Sequence, residues 1–272
     1  MRIDRETRAV VTGAGSGLGK AIANALGTRG AVVVVSDLRE EGARATAAEI
    51  AAAGGTSHVV LCDVSRASDV EWLAAEATRL AGPIDLLVNN AGIGAAGHIG
   101  TVSLDDWRKT IDVNLWGVIH GCHYFVPGMR ARKRGHVLNV ASAAAFGSAP
   151  SMGAYNVTKS GVVALSETLA AEAAVDGVGV TALCPGFFRT NIMSDSVGTI
   201  TDAQRRFIEA EMGRSKHDAD AIARIALAAV ERGKLYAVPH AEIRWLWRVK
   251  RLAPGMFARL AARMERRGYF SR

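Results

Sequence analysis

Tyr155 and Lys159 stand four residues apart in a stretch that predicts one continuous helix to Ala174. Four residues make about one helical turn, so the phenol and the ammonium share a face. A free tyrosine has a pKa of about 10, and half-ionising it at about pH 7.5 requires about 3.4 kcal/mol. One cation about 4 Å away, at an effective dielectric constant of about 20, supplies roughly 4 kcal/mol. The pair therefore predicts a tyrosine that exchanges protons with a substrate.

Ser142 follows a predicted strand, at the edge of a parallel sheet where ligands bind. A hydroxyl at this edge can donate a hydrogen bond to a substrate oxygen and stabilise the charge that develops there. A tyrosine and a lysine at this spacing also occur by chance on solvated helices. The three residues together are thus the informative pattern, and the pair alone is not.

A glycine-rich turn, Thr12-Gly-Ala-Gly-Ser-Gly-Leu-Gly19, joins the first predicted strand to a helix. Such a turn lets the backbone approach a pyrophosphate, and the following helix offers free N–H groups and a partial positive charge. The spacing is GxxxGxG and differs from the common GxGxxG pattern. We expect the dinucleotide to contact Gly13, Ser16, Gly17, Leu18 and Gly19.

Asp37 ends the second predicted strand, 24 residues after Gly13. A carboxylate there hydrogen-bonds the adenosine ribose and repels a 2′-phosphate, which favours NAD over NADP. Asp37 would also serve as the N-cap of a helix that begins near Arg39, and both roles are compatible. Arg39 leaves NADP as the second choice, because it could pair with a phosphate.

Short β-branched runs alternate with alanine-rich helical stretches along the chain. The pattern predicts a parallel sheet that is buried on both faces and joined by helical crossovers. We therefore expect one doubly wound α/β Rossmann domain over residues 1–240, followed by a basic amphipathic extension over residues 241–272. The seven predicted strands are Ala9–Val11, Ala31–Val35, His58–Leu61, Ile84–Val88, His136–Val140, Val178–Leu183 and Leu235–Val238.

Over residues 7 to 240 the chain resembles the short-chain dehydrogenase/reductase family. The resemblance rests on the glycine-rich turn, Asp63-Val64, Asn89-Asn90-Ala91-Gly92, Asn114, Ser142, Tyr155 with Lys159, Pro185-Gly186 and Thr190. It implies hydride transfer between NAD(H) and a secondary alcohol or ketone, and it assigns catalysis to Asn114, Ser142, Tyr155 and Lys159. The resemblance also places Tyr155 and Lys159 in contact with the cofactor, with Lys159 at the nicotinamide ribose, and implies that the asparagine supports a water that relays protons.

The same resemblance extends the cofactor site and the assembly. It places Asp63 and Val64 at the adenine, Asn90 and Gly92 along the edge of the central strand, and Thr190 with Pro185 and Gly186 near the nicotinamide. NADP-binding members usually carry a basic residue at the positions of Ser16 or Leu38, so NAD is favoured. The family also implies a homodimer or homotetramer. Two alternatives stay open: a protein that binds NAD(H) as a sensor without turnover, and an NADPH-linked carbonyl or acyl-thioester reductase.

The substrate side is expected to be apolar. The residues that suggest this are Ala143, Ala144, Ala145, Phe146, Met152, Phe187 and Phe188, each of which could equally belong to the packing of the core. The stretch from Phe187 to about Gly213 has little periodicity and follows a strand, which is typical of a mobile lid over a site. We expect a bulky hydrophobic alcohol or ketone as the substrate.

Residues 241–272 carry nine lysines and arginines and two acidic residues, so their formal charge equals the +7 of the whole chain. The first 240 residues are therefore formally neutral, which argues against a nucleic-acid-binding protein. Tryptophans and other apolar residues alternate with these arginines. The pattern fits either a helix pair that packs on the substrate pocket or on a partner subunit, or a helix that lies on an anionic membrane.

Several other classes of site are not expected. Cys62, Cys122 and Cys184 are widely spaced and are interpreted as buried thiols of a reducing cytoplasm. His120 and His123 have a metal-ligand spacing but no third ligand nearby in the sequence, so no metal is predicted. The first residues contain no apolar stretch of signal-peptide length, and no run is long enough to cross a bilayer. We expect a cytoplasmic protein, with peripheral membrane contact as an option for residues 241–272.

Overall fold

The computed structural model describes residues 1–190, 192, 196–198 and 200–266, with side chains at all of these except 203 and 204. The strands are β1 (Arg8–Thr12), β2 (Val32–Asp37), β3 (Thr56–Leu61), β4 (Leu86–Asn89), β5 (Ala95–Ala96), β6 (Gly135–Val140), β7 (Val178–Leu183), β8 (Val197–Gly198) and β9 (Tyr236–Ala237). The helices are α1 (Gly17–Thr28), α2 (Glu40–Ala52), α3 (Ala67–Ala81), α4 (Leu104–Ile111), α5 (Gly117–Arg132), α6 (Ala144–Gly147), α7 (Gly153–Ala173), α8 (Asp202–Arg214), α9 (Ala219–Glu231), α10 (Ala241–Leu252) and α11 (Pro254–Arg266). A π-helical turn, Asp112–Trp116, joins α4 to α5, and a 3-10 turn, Ala174–Asp176, follows α7.

Seven strands form one parallel sheet in the order β3-β2-β1-β4-β6-β7-β9. This confirms the predicted doubly wound fold. The strand order reverses between β1 and β4, and the carboxyl ends of strands at such a reversal border a crevice that binds ligands. The fold therefore places the glycine-rich turn after β1 and the residues after β4 and β6 at the same edge.

Alternating side chains of the central strands serve two different cores. Val33 and Val35 of β2 pack with α1 and α9 on one face of the sheet, whereas Val34 packs with α3 and α5 on the other. Both faces are dry, which explains why these strands consist of unbroken apolar residues. The rigid sheet then fixes the positions of the side chains that follow each strand.

Two local features differ from the sequence-based expectation. The last sheet strand is Tyr236–Ala237 and is shorter than the predicted 235–238, because Pro239 lacks the N–H that would extend the pairing. A second sheet, not predicted, pairs β5 with β8 in parallel. Strands of two residues leave no periodic pattern, so the sequence gives no signal for them.

The chain beyond residue 240 continues as α10 and α11, and the break between them falls at Ala253 and Pro254. Neither helix has a buried residue, although α10 packs on α6 through a stacked pair of rings, Phe146 and Trp247, whose centroids are 4.6 Å apart. The domain boundary at residue 240 stays a prediction. Among the described residues, no helix is both long enough and apolar enough to cross a bilayer.

Candidate active site

The turn after β1 adopts a conformation that depends on glycine. Gly13 and Gly17 have φ values of +62° and +53°, in the left-handed region that residues with a side chain rarely adopt. Gly19 lies against Gly13, and a Cβ there would overlap the Gly13 carbonyl oxygen. The first turn of α1 is thereby pressed against the end of β1, with its N-terminus facing the crevice.

Asp37 fastens the end of β2 to this turn. Its Oδ2 accepts a hydrogen bond of 2.8 Å from the Gly15 N–H, and its Oδ1 accepts one of 2.9 Å from the Arg39 N–H. The side chain does not act as the N-cap of α2, because the N-cap residue is Arg39. The carboxylate is buried yet lies on the wall of the crevice, and each oxygen keeps a lone pair for a ribose hydroxyl.

Asn90 joins the ends of β1 and β4 at the reversal point. Its Nδ2 donates to the carbonyl oxygens of Thr12, at 2.9 Å, and Gly13, at 3.1 Å. Its backbone N–H donates to Thr12 Oγ1 at 3.0 Å. These contacts fix the floor of the crevice beside the glycine-rich turn.

The loop after β3 brings Asp63 and Val64 to the same edge. Asp63 Oδ1 accepts hydrogen bonds from the backbone N–H and the hydroxyl of Ser65, at 3.0 and 2.7 Å. The Val64 carbonyl oxygen is 3.0 Å from Nδ1 of His120. His120 is thus a structural contact, and the described residues contain no cluster of histidine, cysteine and carboxylate side chains that could hold a metal.

Ser142 and Tyr155 meet beyond the end of β6. The Ser142 Oγ accepts a hydrogen bond of 3.1 Å from the Ala144 N–H. Burial raises the pKa of Tyr155, and the neighbouring Ser142 hydroxyl lowers it in part. The phenol is therefore neutral at physiological pH in this geometry and is held next to a second hydroxyl.

Lys159 lies one turn after Tyr155 on α7, as predicted. Its Nζ donates to the Val140 carbonyl oxygen at 2.9 Å and lies 5.7 Å from the centroid of the Tyr155 ring. Burial lowers the pKa of Lys159 to about 8. In this geometry the ammonium bonds a backbone carbonyl, and burial has the largest effect on the pKa of Tyr155. The expectation that Lys159, helped by a cationic nicotinamide, lowers the pKa of Tyr155 stays a prediction.

Asn114 lies in the π-helical turn between α4 and α5. Its Oδ1 accepts from the Ile93 N–H and its Nδ2 donates to the Ile93 carbonyl oxygen, both at 2.8 Å. A Cβ on the neighbouring Gly92 would approach Asn114 Oδ1 at 3.0 Å and Lys159 Nζ at 3.5 Å. The extra residue of a π turn therefore turns this amide inward, where it holds the loop after β4 close to Lys159.

These elements enclose one large cavity of about 1150 Å³. Of the residues predicted for the site, all but two line it; Gly19 and Asn114 lie behind the wall. Those that line it are Gly13, Ser16, Gly17, Leu18, Asp37, Asp63, Val64, Asn90, Gly92, Ser142, Tyr155, Lys159, Pro185, Gly186 and Thr190. The structure thus brings the glycine-rich turn and the Ser-Tyr-Lys group to one continuous space.

The end of the cavity beyond Tyr155 is apolar. Ala143, Ala144, Met152, Phe187 and Phe188 line it, as predicted. Ala145 and Phe146 do not line it: both belong to the packing of the sheet's second face, where Phe146 stacks on Trp247. Ala145 and Phe146, the second and third residues of α6, therefore face away from the cavity and take the packing role that the sequence had left open.

The stretch 187–213 borders this apolar end with Phe187, Phe188, Thr190, Ile208 and Met212. It contains the helix α8 and the strand β8, so it is more regular than expected. Residues 191, 193–195 and 199 of this stretch lie outside the described residues. Its mobility stays a prediction.

The cavity wall also includes residues of the C-terminal extension, which agrees with the alternative in which a helix pair packs on the substrate pocket. They come from α10 and α11, and they are Ile243, Leu246, Phe257, Leu260, Ala261 and Met264. Their spacing at every third or fourth position was visible as a helical pattern, but nothing in it identified the surface that they cover.

Sequence reasoning missed His240, which contacts the loop at the cavity wall. Its Nδ1 accepts a hydrogen bond of 3.0 Å from the Gly186 N–H, and its Nε2 lies 3.4 Å from the Ser215 hydroxyl. Burial lowers the pKa of His240, so its Nδ1 stays an acceptor. The imidazole therefore connects the Pro185-Gly186 loop to the start of α10.

Polar contacts also attach the C-terminal helices to the loop before Tyr155. Lys250 Nζ donates to Ser148 Oγ at 2.8 Å, and Glu265 lies 3.8 Å from Nε2 of His98, which in turn lies 3.3 Å from Ser151 Oγ. The end of α10 is thus connected directly to the segment that leads into α7, and the end of α11 is connected to it through His98.

Of the three cysteines, Cys62 lines the cavity, whereas Cys122 and Cys184 do not. Cys184 is buried beside Lys159, and burial raises its pKa to about 12. The thiol is accordingly protonated at physiological pH, in agreement with its interpretation as a buried apolar group.

A model of a protein family described as short chain dehydrogenase matches residues 7–199. The chain is 36% identical over 259 residues to a probable oxidoreductase named EphD of Mycobacterium tuberculosis, covering 92% of this chain and 43% of that protein. It is 40% identical over 189 residues to the 3beta-hydroxysteroid dehydrogenase 1 of Eggerthella lenta, covering 68% of this chain and 72% of that one. The chain therefore spans less than half the length of its mycobacterial relative.

Among solved structures, a short chain dehydrogenase/reductase from Burkholderia phymatum in complex with NAD superposes with a TM-score of 0.88. The two chains are 33% identical, and the match covers 94% of this chain and 96% of the other. The fold resemblance therefore extends beyond the residues that the family model matches.

Proposed function

Since this chain belongs to the short-chain dehydrogenase family of oxidoreductases, we propose that it interconverts a bulky, apolar secondary alcohol and its ketone with NAD(H). The observation that carries the proposal is that Ser142, Tyr155 and Lys159 line the same cavity as the glycine-rich turn. Proton-exchanging and dinucleotide-binding groups share one space there, which is what hydride transfer to or from a C–OH carbon requires.

In the proposed reaction NAD supplies the hydride acceptor when it is bound. In the direction of reduction, the neutral Tyr155 phenol donates its proton to the ketone oxygen as the hydride adds to carbon. In the direction of oxidation, Tyr155 must first lose its proton to solvent, and the phenolate then takes the hydroxyl proton of the alcohol as the C=O bond forms and the hydride leaves carbon. Ser142 donates a hydrogen bond to the substrate oxygen and orients it. Lys159, held by the Val140 carbonyl, keeps a positive charge near the phenol below about pH 8.

The preference for NAD is supported by Asp37 and by the neighbouring side chains. The buried carboxylate at the end of β2 would repel a 2′-phosphate, and the exposed Leu38 offers no charge to offset it. Arg39 also lines the cavity, which favours NADP as the second candidate cofactor. The two cofactors therefore have to be tested separately.

The choice of a bulky apolar substrate is supported by the lining of the cavity beyond Tyr155. Met152, Phe188 and Ile208, from three different parts of the chain, border this end, and α10 and α11 add further apolar side chains. A space of this kind gains binding free energy from buried hydrocarbon area, which a small alcohol cannot supply. The hydroxysteroid named for one relative is a substrate of this shape.

The test follows the near-ultraviolet absorbance of the reduced cofactor, with NAD and NADP in separate assays, against secondary alcohols and ketones of graded size. We expect turnover with NAD, a higher kcat/KM for the larger apolar substrates, and loss of kcat by a factor of about 10² to 10⁴ in Tyr155→Phe. Tyr124→Phe, on α5, is the matched control and should keep full activity.

Calorimetric titration of NAD separates the alternatives. Tyr155→Phe should bind NAD as the unaltered protein does, because the phenol hydroxyl belongs to the chemistry. Measurable NAD binding without turnover on any substrate of the panel would favour the sensing protein. Turnover restricted to NADPH would favour the carbonyl or acyl-thioester reductase.

A further inference from the structure

The outer surface of α10 and α11 combines exposed apolar side chains with arginines. On α10, Trp245, Arg248 and Leu252 follow the i, i+3, i+7 spacing of one helix face, and Trp245 and Leu252 are 66% and 86% exposed. On α11, Met256, with 53% exposure, shares a face with two further arginines. Single exposed apolar residues are common on protein surfaces, and this chain has several elsewhere, whereas a group of them on one surface, bordered by charged residues, marks a site of interaction.

The opposite faces of the same helices are already occupied. Leu246 of α10 and Phe257, Ala261 and Met264 of α11 line the substrate end of the cavity, and Trp247 packs on Phe146. The outward apolar groups therefore do not complete the fold of this chain. Each helix has two apolar sides, one toward the cavity and one toward the exterior.

The charge on this surface specifies what it would contact. Residues 241–272 hold a formal charge equal to that of the whole chain, because the preceding 240 residues are neutral. Arg248, Arg259 and Arg263 are exposed, and none forms a salt bridge within the described residues. A partner for this surface must carry negative charge to pair with the arginines and must have an apolar interior that the apolar side chains can enter.

We propose that the exposed face of α10 and α11 (Trp245, Arg248, Leu252, Met256, Arg259 and Arg263) docks the protein on an anionic lipid bilayer. The arginines contact lipid phosphates, and Trp245, Leu252 and Met256 enter the boundary between headgroups and acyl chains. Docking is parallel to the surface, since both helices are far shorter than a bilayer is thick.

Docking has a consequence for the cavity. Leu260 is on the cavity wall and is also 53% exposed, so the rim of the substrate end lies on the docking face. A substrate dissolved in the bilayer would then enter without crossing water. This consequence depends on the function proposed above, whereas docking itself does not.

The test is sedimentation of the purified protein with vesicles of phosphatidylcholine alone and with vesicles of equal parts phosphatidylcholine and phosphatidylglycerol. We expect the protein to sediment with the anionic vesicles only, and to be released when salt is raised from about 0.1 M to about 1 M, since the Debye length falls from about 10 Å to about 3 Å. Protein that stays in the supernatant with anionic vesicles at low salt would overturn the proposal.

Matched variants locate the surface. The triple variant Arg248→Gln, Arg259→Gln, Arg263→Gln should bind anionic vesicles about a hundredfold more weakly, from about 1 kcal/mol, or about fivefold, for each charge. The control triple variant Arg5→Gln, Arg66→Gln, Arg224→Gln removes the same charge from exposed positions elsewhere and should bind within a few-fold of the unaltered protein. If the two triple variants lost vesicle affinity equally, the protein would be attracted by its net charge alone, and the proposal of a specific docking surface would be rejected.

The apolar contribution has its own pair of variants. Trp245→Ser should weaken vesicle binding, whereas Trp72→Ser, at an exposed position of 60% on α3, should not. Sedimentation equilibrium without lipid tests the competing occupant, a second copy of this chain. A lower molecular mass for Trp245→Ser than for Trp72→Ser would identify the face as a subunit interface and reject the membrane.

NAD turnover on a water-soluble substrate separates the two proposals. Vesicle binding without any turnover would leave docking in place and count against the proposed reaction. Turnover without vesicle binding would support the proposed reaction and reject the proposed docking. A thermal melt of each variant confirms that it is folded, and the salt titration of the unaltered protein tests docking without any variant.

Discussion

The two ends of the cavity are built in different ways. At the dinucleotide end, the backbone is held by buried polar contacts such as those of Asp37 and Asn90, and Gly19 has no space for even one added carbon. At the substrate end, α10 and α11 contribute apolar side chains from helices that have no buried residue. The dinucleotide end therefore tolerates almost no change of shape, whereas the substrate end can change its shape without disturbing the sheet.

Lys159 lies where the two ends meet, and its removal should have the largest effect. Lys159→Met is expected to lower kcat by a factor of about 10² to 10⁴, since the proton-exchanging group loses its cation. Steady-state assays measure this, with Lys216→Met as an exposed control. A variant with more than a tenth of the original kcat would contradict the assignment.

The same variant should change the dependence of stability on pH. Burial holds the pKa of Lys159 at about 8, below its ordinary value of 10.5, so between these pH values the unfolded chain binds more protons than the folded chain. The free energy of unfolding contributed by this group therefore rises with pH across that window, by up to about 3 kcal/mol. Lys159→Met should be the more stable protein at pH 7 and should lose this rise. Urea unfolding at several pH values measures both, and parallel pH profiles would refute the expectation.

A pair of glycine substitutions tests the contrast in tolerance directly. Gly19→Ala should destabilise the protein by about 1 to 3 kcal/mol and weaken NAD binding, because the added carbon displaces the Gly13 carbonyl. Gly255→Ala, on α11, meets no atom within 4 Å and should be neutral or more stable by up to about 1 kcal/mol. Denaturant unfolding and NAD titration compare the two; similar losses in both would remove the distinction between the ends.

Two neighbouring residues of α11 sharpen the comparison at the substrate end. Phe257→Ala removes a ring from the cavity wall and should lower kcat/KM for bulky ketones about fivefold, equivalent to about 1 kcal/mol, with NAD affinity unchanged. Met256→Ala changes the outer face of the same turn and should leave both constants as they are. A fall in NAD affinity in Phe257→Ala would show that the substrate end and the dinucleotide end are coupled, and it would contradict their independence.

The smallest effect is expected at the cysteines. Burial raises the pKa values of Cys62, Cys122 and Cys184 to about 12, so thiolate is scarce at pH 8. Iodoacetamide at that pH should leave turnover unchanged over the time in which free cysteine reacts. Rapid inactivation, with mass spectrometry showing alkylation of Cys184, would reveal opening of the cavity wall.

What the sequence could predict follows the same division. The strands were identifiable because unbroken valine runs such as Val32–Val35 have few other uses, and the glycine-rich turn and Asp37 have a spacing that backbone geometry enforces. The sequence was uninformative where structure depends on a single bond between distant segments. The β5–β8 pair, the π-helical turn around Asn114 and the contact of Lys159 with the Val140 carbonyl are of this kind.

The helices α10 and α11 were identifiable as amphipathic, but their partner was not. Apolar residues at helical spacing indicate that one side is covered, and they carry no information about which surface covers it. Only the folded chain shows that Phe257 and Met264 line the cavity. The basic and amphipathic character of residues 241–272 therefore stays a prediction for the segment as a whole, and the sequence left open which surface its apolar side covers.

The imidazole of His240 has a thermodynamic consequence. The imidazole accepts a hydrogen bond from the Gly186 N–H on the cavity wall, and His240 is the residue immediately before α10. The position of the Pro185-Gly186 loop is therefore coupled to the position of α10. If binding of the cofactor orders the loop, it also favours the ordered helix and so strengthens binding of the substrate. By linkage, binding of the substrate must then strengthen binding of the cofactor by the same factor. Affinities measured separately for cofactor and for substrate should then differ from those measured together, by a common factor in both orders of addition.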